Sequence, residues 1–532
     1  MLKIDKIKQA VPDEDRENPT VILLLEFLEQ QAEEILLLKE KVQQIRDENA
    51  RLKKQKPKPK IKPSQMPKDP KDKDSSGKRA GSTKKKKTAT LKIHKTERIA
   101  PESIPPGSKY KGVNPYTVQG IQIVNHNIRY ELEQWRTPEG KIVSGKLPSE
   151  INGHFNNTII TYILYQYHHC HVTQPLLLEQ LHEWGVDIST GQVNNILLEN
   201  RETFHNEKDS LLPAGLQSSS YINVDDTGAR HAGKNGYCTH IGNDFFAWFA
   251  STNSKSRINF LQLLRTGNTD YILNADAFDY MLGQRLPKNA FDLLTVASAK
   301  EFANSDEWND HLHSLGITKP RHIKIATEGA LFGSILAHGL PRSLVIVSDD
   351  AGQFNILNHA LCWIHAERLL AKLIAPSAEK LKILEDVRGQ IWEFYQELKD
   401  YKQGPDAAIK VLLQQKFDLI FSQKTNFQLL NLALQRLHSN KDELLLVLER
   451  PEIPLHNNLS ENDIREYVKK RKVSGSTRSE NGRRSRDTFT SLKKTCRKLG
   501  VSFWQYLSDR ISGKNSIPPI PQLVEQAIIA SG

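Results

Sequence analysis

Two short apolar runs, each ending in a pair of aspartates, constrain this chain more than anything else in it. Residues 219–231 read SSYINVDDTGARH, and residues 343–350 read SLVIVSDD. The second is a wholly apolar, β-branched run, as expected of a strand covered on both faces of a sheet. The first has strand character up to Asp225 and Asp226 and then meets a Thr-Gly turn. The stretches GYCTHIGND and FFAWFAST follow as two more strands joined at Gly242-Asn243-Asp244, and SRINFLQLLR follows as a helix. Loops at the carboxyl ends of strands are where open α/β sheets meet their ligands. Two such strand ends, each carrying acid, therefore point to a carboxylate site.

A third acid stands in HNNLSENDIREYVKKRK, residues 456–472. Asn458 followed three residues later by Glu461 fits a capping box at a helix start. Glu461, Ile464, Arg465 and Val468 also share one helix face, so the acid and Arg465 can point to one site. From Arg465 to Lys498 there are 13 Lys/Arg and 3 Asp/Glu. Lys469, Lys470, Arg471, Lys472, Arg478, Arg483 and Arg484 are the cations expected on DNA phosphates, which such a segment neutralises without reading sequence. Three convergent carboxylates repel one another unless divalent cations neutralise them, and oxygen donors suit Mg²⁺ or Mn²⁺. Two such ions about 4 Å apart serve an in-line phosphoryl transfer. Asp225 and Asp349 lie nearer the buried strands and are preferred, with Asp226 and Asp350 as alternatives. Cys362 and His365, one turn apart in CWIHAERLLAKL, read as supporting groups or as a packed core pair. No second pair lies close enough in sequence to complete a zinc site.

The rest of the chain sets this core in context. Val21, Leu28, Ile35, Val42 and Asn49 alternate with Leu24, Gln31, Leu38, Ile45 and Leu52 in a heptad repeat, which predicts a dimeric coiled coil over 20–55. Residues 56–99 are rich in Lys, Pro, Ser and Gly and read as a disordered basic linker. Of the net charge of +12, the stretch 51–98 supplies +15, from 19 Lys/Arg less 4 Asp/Glu, so the remainder is near −3. A small β unit is expected over 100–150. LLLEQLHEWGVDISTGQVNNILLEN, within a helical region over 151–215, has the outline of a helix-turn-helix. Four scattered cysteines form no disulfide framework. No run approaches the ~20 apolar residues of a membrane span, and the N-terminus lacks a secretory h-region. A reducing, cytosolic setting is the simplest reading.

Taken together, VDDTGARH, SDDAGQF with CWIHAER, and HNNLSENDIREYVKKRKVSGSTRSENGRRSRDTFTSLKKTCRKLG resemble the DDE transposases of bacterial insertion sequences, of the insertion-sequence-66 type. The resemblance runs from the heptads to about residue 510. It implies an RNase H-like, retroviral-integrase-like core over 216–500, with insertions at 268–340 and 373–450 and a C-terminal tail at 501–532. Asp225, Asp349 and Glu461 would be its metal-binding triad, and Cys362 and His365 match the C-x-x-H that follows the second acid in several transposase families. The implied activity is metal-dependent cleavage at element ends and strand transfer into target DNA, with helper proteins as further partners. Three features depart from the family pattern: Asp226 stands where a glutamate is usual, residues 99–150 contain no cysteine for a zinc finger, and the segment 268–340 reads as an addition. The competing readings are an RNase H-like nuclease without strand transfer and a DNA-binding oligomer that has lost catalysis.

Overall fold

A computed structural model describes residues 93–121, 123–148 and 153–531, with most positions between 18 and 34. Every described position from 19 to 34 is helical, and the seam residues Leu24 and Leu28 are exposed. The rest of the heptad stretch over 20–55, and the linker from 56 to 92, lie outside the described residues. Two compact units are distinguished, Pro59–His126 and the remainder. The described residues of 93–126 are exposed and carry no helix or strand. Of the β unit expected over 100–150, one hairpin forms: β1 (Gln134–Arg136) pairs antiparallel with β2 (Ile142–Ser144). Its turn is closed by Thr137 N–H donating to Lys141 O, with Gly140 at φ 83°.

Four helices follow, α1 (Asn157–His168), α2 (Gln174–Glu183), α3 (Thr190–Leu198) and α4 (Glu202–Ser218). Leu177 and Leu181 of α2 and Val193 and Leu197 of α3 are buried at four-residue spacing, the repeat of one helix face. Gly185, at φ 73°, turns the chain after α2. Ser189 then caps α3 through a reciprocal box with Gln192. Ser189→Ala is expected to cost about 1 kcal/mol of stability, read by urea denaturation.

The central sheet holds β3 (Tyr221–Gly228), β4 (Tyr237–Gly242), β5 (Ala247–Thr252), and, later in the chain, β8 (Val345–Ser348) and β9 (Asn358–Leu361). Its order is β5-β4-β3-β8-β9: the first three strands are antiparallel neighbours, and β8 runs parallel to both β3 and β9. Gly242 is required at the β4–β5 turn, where an added Cβ would lie 2.4 Å from Phe246 O.

Between β5 and β8 come α5 (Arg257–Leu264), β6 (Tyr271–Ile272), α6 (Ala275–Gly283), α7 (Lys288–Val296), β7 (Glu301–Phe302), α8 (Ser305–Ser314) and α9 (Pro320–Ala337). The segment 268–340, read from sequence as an addition, packs into the main core. Ala326, Ala330 and Leu331 of α9 belong to one buried cluster with Ile222, Val224 and Ile346 of the sheet. The segment 373–450 is helical as expected, with α10 (Trp363–Ala371) leading into α11 (Ala378–Tyr401), α12 (Ala407–Ser422), α13 (Gln428–Ser439) and α14 (Lys441–Leu444). These helices build a second core around Trp363, Phe394 and Phe417, joined by Val345 and Val347 from the sheet's other face.

The chain then returns as α15 (Asn458–Ser474) and α16 (Glu480–Lys498). The stretch read as a C-terminal tail, 501–532, is folded: α17 (Phe503–Ile511) and α18 (Ile520–Ser531) bury Phe503, Tyr506, Leu507, Ile520 and Val524. Glu207 of α4 holds them by accepting from Arg510, from Tyr506 Oη at 2.8 Å and from Ile520 N–H at 2.6 Å.

The lysine- and arginine-rich α16 is not a solvated helix either. Ala247, Phe249 and Ser251 of edge strand β5 turn their N–H groups toward it. Thr495 Oγ1, Ser491 Oγ and Asp487 Oδ2 accept those N–H groups at 3.1, 2.9 and 2.7 Å. The four-residue spacing of these three side chains on the helix matches alternate residues of the strand. No described helix is long and apolar enough to cross a membrane.

Candidate active site

Alternation along β3 separates its two aspartates, because successive strand side chains point to opposite faces. Asp226 shares a face with Ile222 and Val224 and is held entirely by protein groups. It accepts from Thr239 Oγ1 at 2.5 Å and Gln353 Nε2 at 3.0 Å, and Lys255 Nζ is 3.9 Å away. Asp225 shares the other face with Tyr221 and Asn223. Its Oδ1 accepts from the Asp226 N–H at 2.7 Å, and no side chain among the described residues donates to it. Burial, with Asp349 and Asp226 close by, pushes its carboxyl up to about 7, against the Asp226 N–H and Lys255.

The parallel register of β3 and β8 pairs Asn223 with Val347, so Asp225 and Asp349 leave the paired region level with each other. The turn at Asp349 is built locally: Ser348 Oγ donates to Asp349 O at 2.6 Å and meets His359 Nε2 at 2.7 Å. His359 Nδ1 in turn lies 3.0 Å from Glu443. Asp349 Oδ1 accepts from Ala351 N–H at 3.2 Å. Asp350 points elsewhere, to an ion pair with Arg436 at the exposed surface.

Glu461 occupies the first turn of α15, where the positive helix end favours an anion. The capping box expected from Asn458 does not form. Asn457 stands at the cap position and makes no side-chain cap; its amide spans to the sheet instead. Asn457 Nδ2 donates to Val224 O at 2.7 Å, and its Oδ1 accepts from Asn223 Nδ2 at 2.9 Å. Its N–H meets the buried Cys362 Sγ at 3.1 Å. Cys362 thus acts as a strut between α10 and α15, and burial raises its thiol to about 11.

Glu461 Oε1 accepts from Arg368 Nη1 at 3.1 Å and lies 3.5 Å from His365 Nε2. Burial lowers the His365 pKa, as does Arg368, while Glu461 and Asp349 both pull it upward. His365 therefore stands within the fields of two of the three acids. Arg465 does not join them; it is exposed and donates to Asn462 at 2.9 Å. Arg368 takes the place expected of it, three residues beyond His365 on the same face of α10. The ER that closes CWIHAER is the signal for it.

The rotation of α15 is fixed by a buried polar cluster on its inner side. Ser460 Oγ meets His240 Nδ1 at 2.9 Å, and His240 Nε2 lies 3.2 Å from Asp463 Oδ2. Lys494 and Lys498 of α16 reach Asp463 at 2.8 and 2.9 Å. Burial would raise the Asp463 carboxyl, but His240, Lys498 and Lys494 outweigh it and hold it well below the usual range.

The expected DNA-facing cations divide into two groups. Lys469, Lys472 and Arg478 are exposed. Arg471 leans on the end of β3, with Nη1 3.4 Å from Thr227 Oγ1. Arg483 pairs with Glu480 at 2.7 Å and Arg484 with Glu202 at 3.2 Å. Lys470 is turned inward: it is buried, donates to Tyr167 O at 2.6 Å and sits 3.3 Å over the Tyr167 ring. Burial beside Arg486 and Lys493 lowers it to about 7, and its inward position sets it apart from the exposed cations.

The donors at Asp225, Asp349 and Glu461 are all carboxylate oxygens, the kind that hard divalent cations take. The Asp225 carboxyl is raised first by burial and then by its neighbours Asp349 and Asp226, and a cation there would oppose both effects. Among the described residues, no three histidine, cysteine, aspartate or glutamate side chains already converge on one point. Glu461 is turned to Arg368, so its use as a ligand would require it to leave that partner.

Residues 334–485 match the model of the transposase IS66 family. That span contains Asp349, Cys362, His365, Arg368 and Glu461 and stops short of Asp225. A relative from Sinorhizobium fredii (strain NBRC 101917 / NGR234), the uncharacterized protein y4jO, is 46% identical over 317 residues. The match covers 59% of this chain and 99% of the relative. With a relative this similar covered almost end to end, the chain belongs to the IS66 transposase family.

Proposed function

We propose that the protein is a DNA transposase with an RNase H-like core, which cleaves insertion-sequence ends and joins the freed 3′ ends to target DNA. The observation that carries this reading is that Asp225 and Asp349 lie level with each other just beyond the stretch where β3 and β8 pair in parallel, with Glu461 one histidine away. The sheet supports the core assignment: its first three strands are consecutive and antiparallel, and the fourth and fifth add in parallel beside the first. Asp225, Asp349 and Glu461 would hold two Mg²⁺ or Mn²⁺ ions; Asp226 and Asp350, committed to other partners, would not. When bound, such ions activate an attacking oxygen and stabilise a leaving one.

The chain's own groups supply the rest. The turn made by Ser348, His359 and Glu443 holds Asp349 in place, and the Asn457 amide fixes α15 against β3. Arg368 and His365 hold the Glu461 carboxylate at the start of α15, and it would leave Arg368 to take up a cation. Lys469, Lys472 and Arg478 offer exposed charge for DNA phosphates. In the reaction a water opens the phosphodiester at the element end, and the freed 3′-hydroxyl then attacks a target phosphodiester. Two ends must be held together for this, and pairing of two copies through the heptads at 20–55 provides for it.

The test is incubation of the full chain with DNA carrying the gene's own flanking sequences and Mg²⁺, followed on sequencing gels. Cleavage with joined products supports the transposase; cleavage alone would favour a nuclease without strand transfer. Binding without either product would favour a DNA-binding oligomer. The exposed cations are tested separately through salt dependence. Changing Lys469, Lys472 and Arg478 together to alanine is expected to flatten the slope of log K against log salt by up to about 3, close to one for each phosphate that is no longer neutralised. An unchanged slope would move the DNA path to another face.

A further inference from the structure

A cavity of about 560 Å³ opens beside the acid cluster, lined by Lys255, Arg257, Arg321, Lys324, Glu328 and Gln353 among others. It adjoins the site through two of these residues: Gln353 donates to Asp226 at 3.0 Å, and Lys255 is 3.9 Å from the same carboxylate. Its volume is within the range of small-molecule sites. Its rim is basic and open to solvent, with the Lys255 and Lys324 side chains 38% and 62% exposed.

The wall of the cavity carries buried groups with unused hydrogen-bonding capacity. Glu328 is 2% exposed; its Oε2 accepts from Tyr280 Oη at 2.9 Å, while its Oε1 has no hydrogen-bond partner. Lys324 Nζ stays 3.8 Å from that oxygen. Arg257 Nε is also buried and unpartnered, although its other nitrogens reach Tyr280 Oη at 3.0 Å and the carbonyl of Gly352. Arg257 Nη1 lies 3.8 Å from Glu328 Oε2, so the free acceptor and the free donor belong to neighbouring side chains. Buried polar groups ordinarily find partners, and leaving one without is costly.

These features define the occupant. A bare phosphate would suit the lysine rim but would be repelled by Glu328. An apolar ligand would leave both buried groups unpaired. A nucleotide satisfies all of them, since its base edge sets a donor beside an acceptor and its phosphate is anionic. We infer that the cavity receives one unstacked nucleotide of a DNA strand passing the acids. The base meets Glu328 and Arg257, and the flanking phosphates meet Lys255, Arg321 and Lys324. Extrusion of a base into such a pocket is a known expedient of proteins that work on DNA. Cytosine sets its exocyclic amine at the outer end of its edge, where it can donate to Glu328 while the adjacent N3 accepts from Arg257; thymine has a carbonyl at that end, facing the carboxylate. Arg257 also ties the cavity to Gly352, three residues beyond Asp349, so occupancy acts on the turn that bears the second acid. Such a pocket rests on the reading of DNA as the substrate.

Fluorescence anisotropy of the full chain with three single strands of equal length tests it: oligodeoxycytidine, oligothymidine and an abasic strand. The cytidine strand is expected to bind about tenfold more tightly than the other two. Glu328→Leu should reduce that gap to within about twofold while leaving abasic binding intact. Because a buried substitution can impair folding, Arg321→Ala with Lys324→Ala at the open rim serves as a second variant; it should weaken all three strands alike. Photocrosslinking of 5-iodo-deoxycytidine to the unaltered chain is expected on the peptide holding Tyr280 or Glu328. Equal binding of the three strands, or crosslinks confined to other peptides, overturns the nucleotide pocket and leaves the DNA reading standing. Failure of every single strand to bind, the abasic one included, overturns the pocket, while the DNA reading itself falls only if the flanking-sequence DNA of the cleavage test is also left unbound.

Discussion

Glu461→Gln is expected to abolish cleavage and joining while leaving the chain folded and able to bind DNA. Glutamine keeps the size of the side chain and its hydrogen bond from Arg368 but removes the negative charge that a cation would require. If the three acids hold the ions as proposed, losing one carboxylate would remove several kcal/mol of transition-state stabilisation, a rate loss of roughly a thousandfold or more. Asp225→Asn and Asp349→Asn should fall equally far. Asp350→Asn is the contrasting variant. Its carboxylate is at the surface with Arg436, and an exposed pair of that kind contributes at most about 1 kcal/mol, so its rate should stay within about twofold of the parent. The measurement is single-turnover cleavage of end DNA in Mg²⁺, with far-ultraviolet circular dichroism and a DNA-binding titration as controls. A Glu461→Gln chain that cleaves at the parent rate would sink the proposed triad and leave Glu461 as a partner of Arg368 only.

Asp463→Asn, two residues along the same helix, should leave the chemistry's residues untouched and act on stability. Asp463 is 4% exposed and stands among His240, Lys494 and Lys498 at 2.8 to 3.2 Å. Removing its charge leaves two lysines facing each other at the α15–α16 junction without an anion. Breaking a buried ion pair from one side costs about 3–5 kcal/mol. The effect carries a sign in pH. The folded chain holds this carboxyl below its unfolded value, so it contributes stability above the unfolded pKa and loses it as pH falls through the folded one. The variant should therefore be much weaker near neutral pH and show a shallower loss on acidification than the parent. Urea denaturation at several pH values reads both effects. Equal stability across that range would mean that the helix is held by its apolar contacts, Ile464 and Tyr467, alone.

These two carboxylates show what one-dimensional reading can and cannot recover. Asp225 and Asp349 are legible because strand periodicity and apolar runs are local, and both set which side chain leaves the sheet and where. The helix pair around Gly185 and Ser189 is legible for the same reason, since its stop and start signals lie within five residues of each other. Asp463 does not stand out, because its partners come from β4 and from a helix some thirty residues on. Composition misplaces Lys470 and α16. A run of lysines predicts solvent, yet here Lys493, Lys494 and Lys498 each find a buried carboxylate or carbonyl. The C-terminal helices read as a tail because nothing in 501–532 reveals that Glu207, three hundred residues earlier, will hold them. Arg368 displaces Arg465 beside Glu461 because two helices distant in sequence meet there, whereas the spacing along α15 concerns only one of them.

The row of Thr495, Ser491 and Asp487 along β5 has a bearing on how copies of this chain can meet. A sheet margin with free N–H groups is a standing invitation to another strand, from a second copy or from an unfolded neighbour. Here three side chains have already accepted those groups, so this margin cannot grow a continuous sheet across two molecules. An assembly of two copies therefore has to be made elsewhere than along β5.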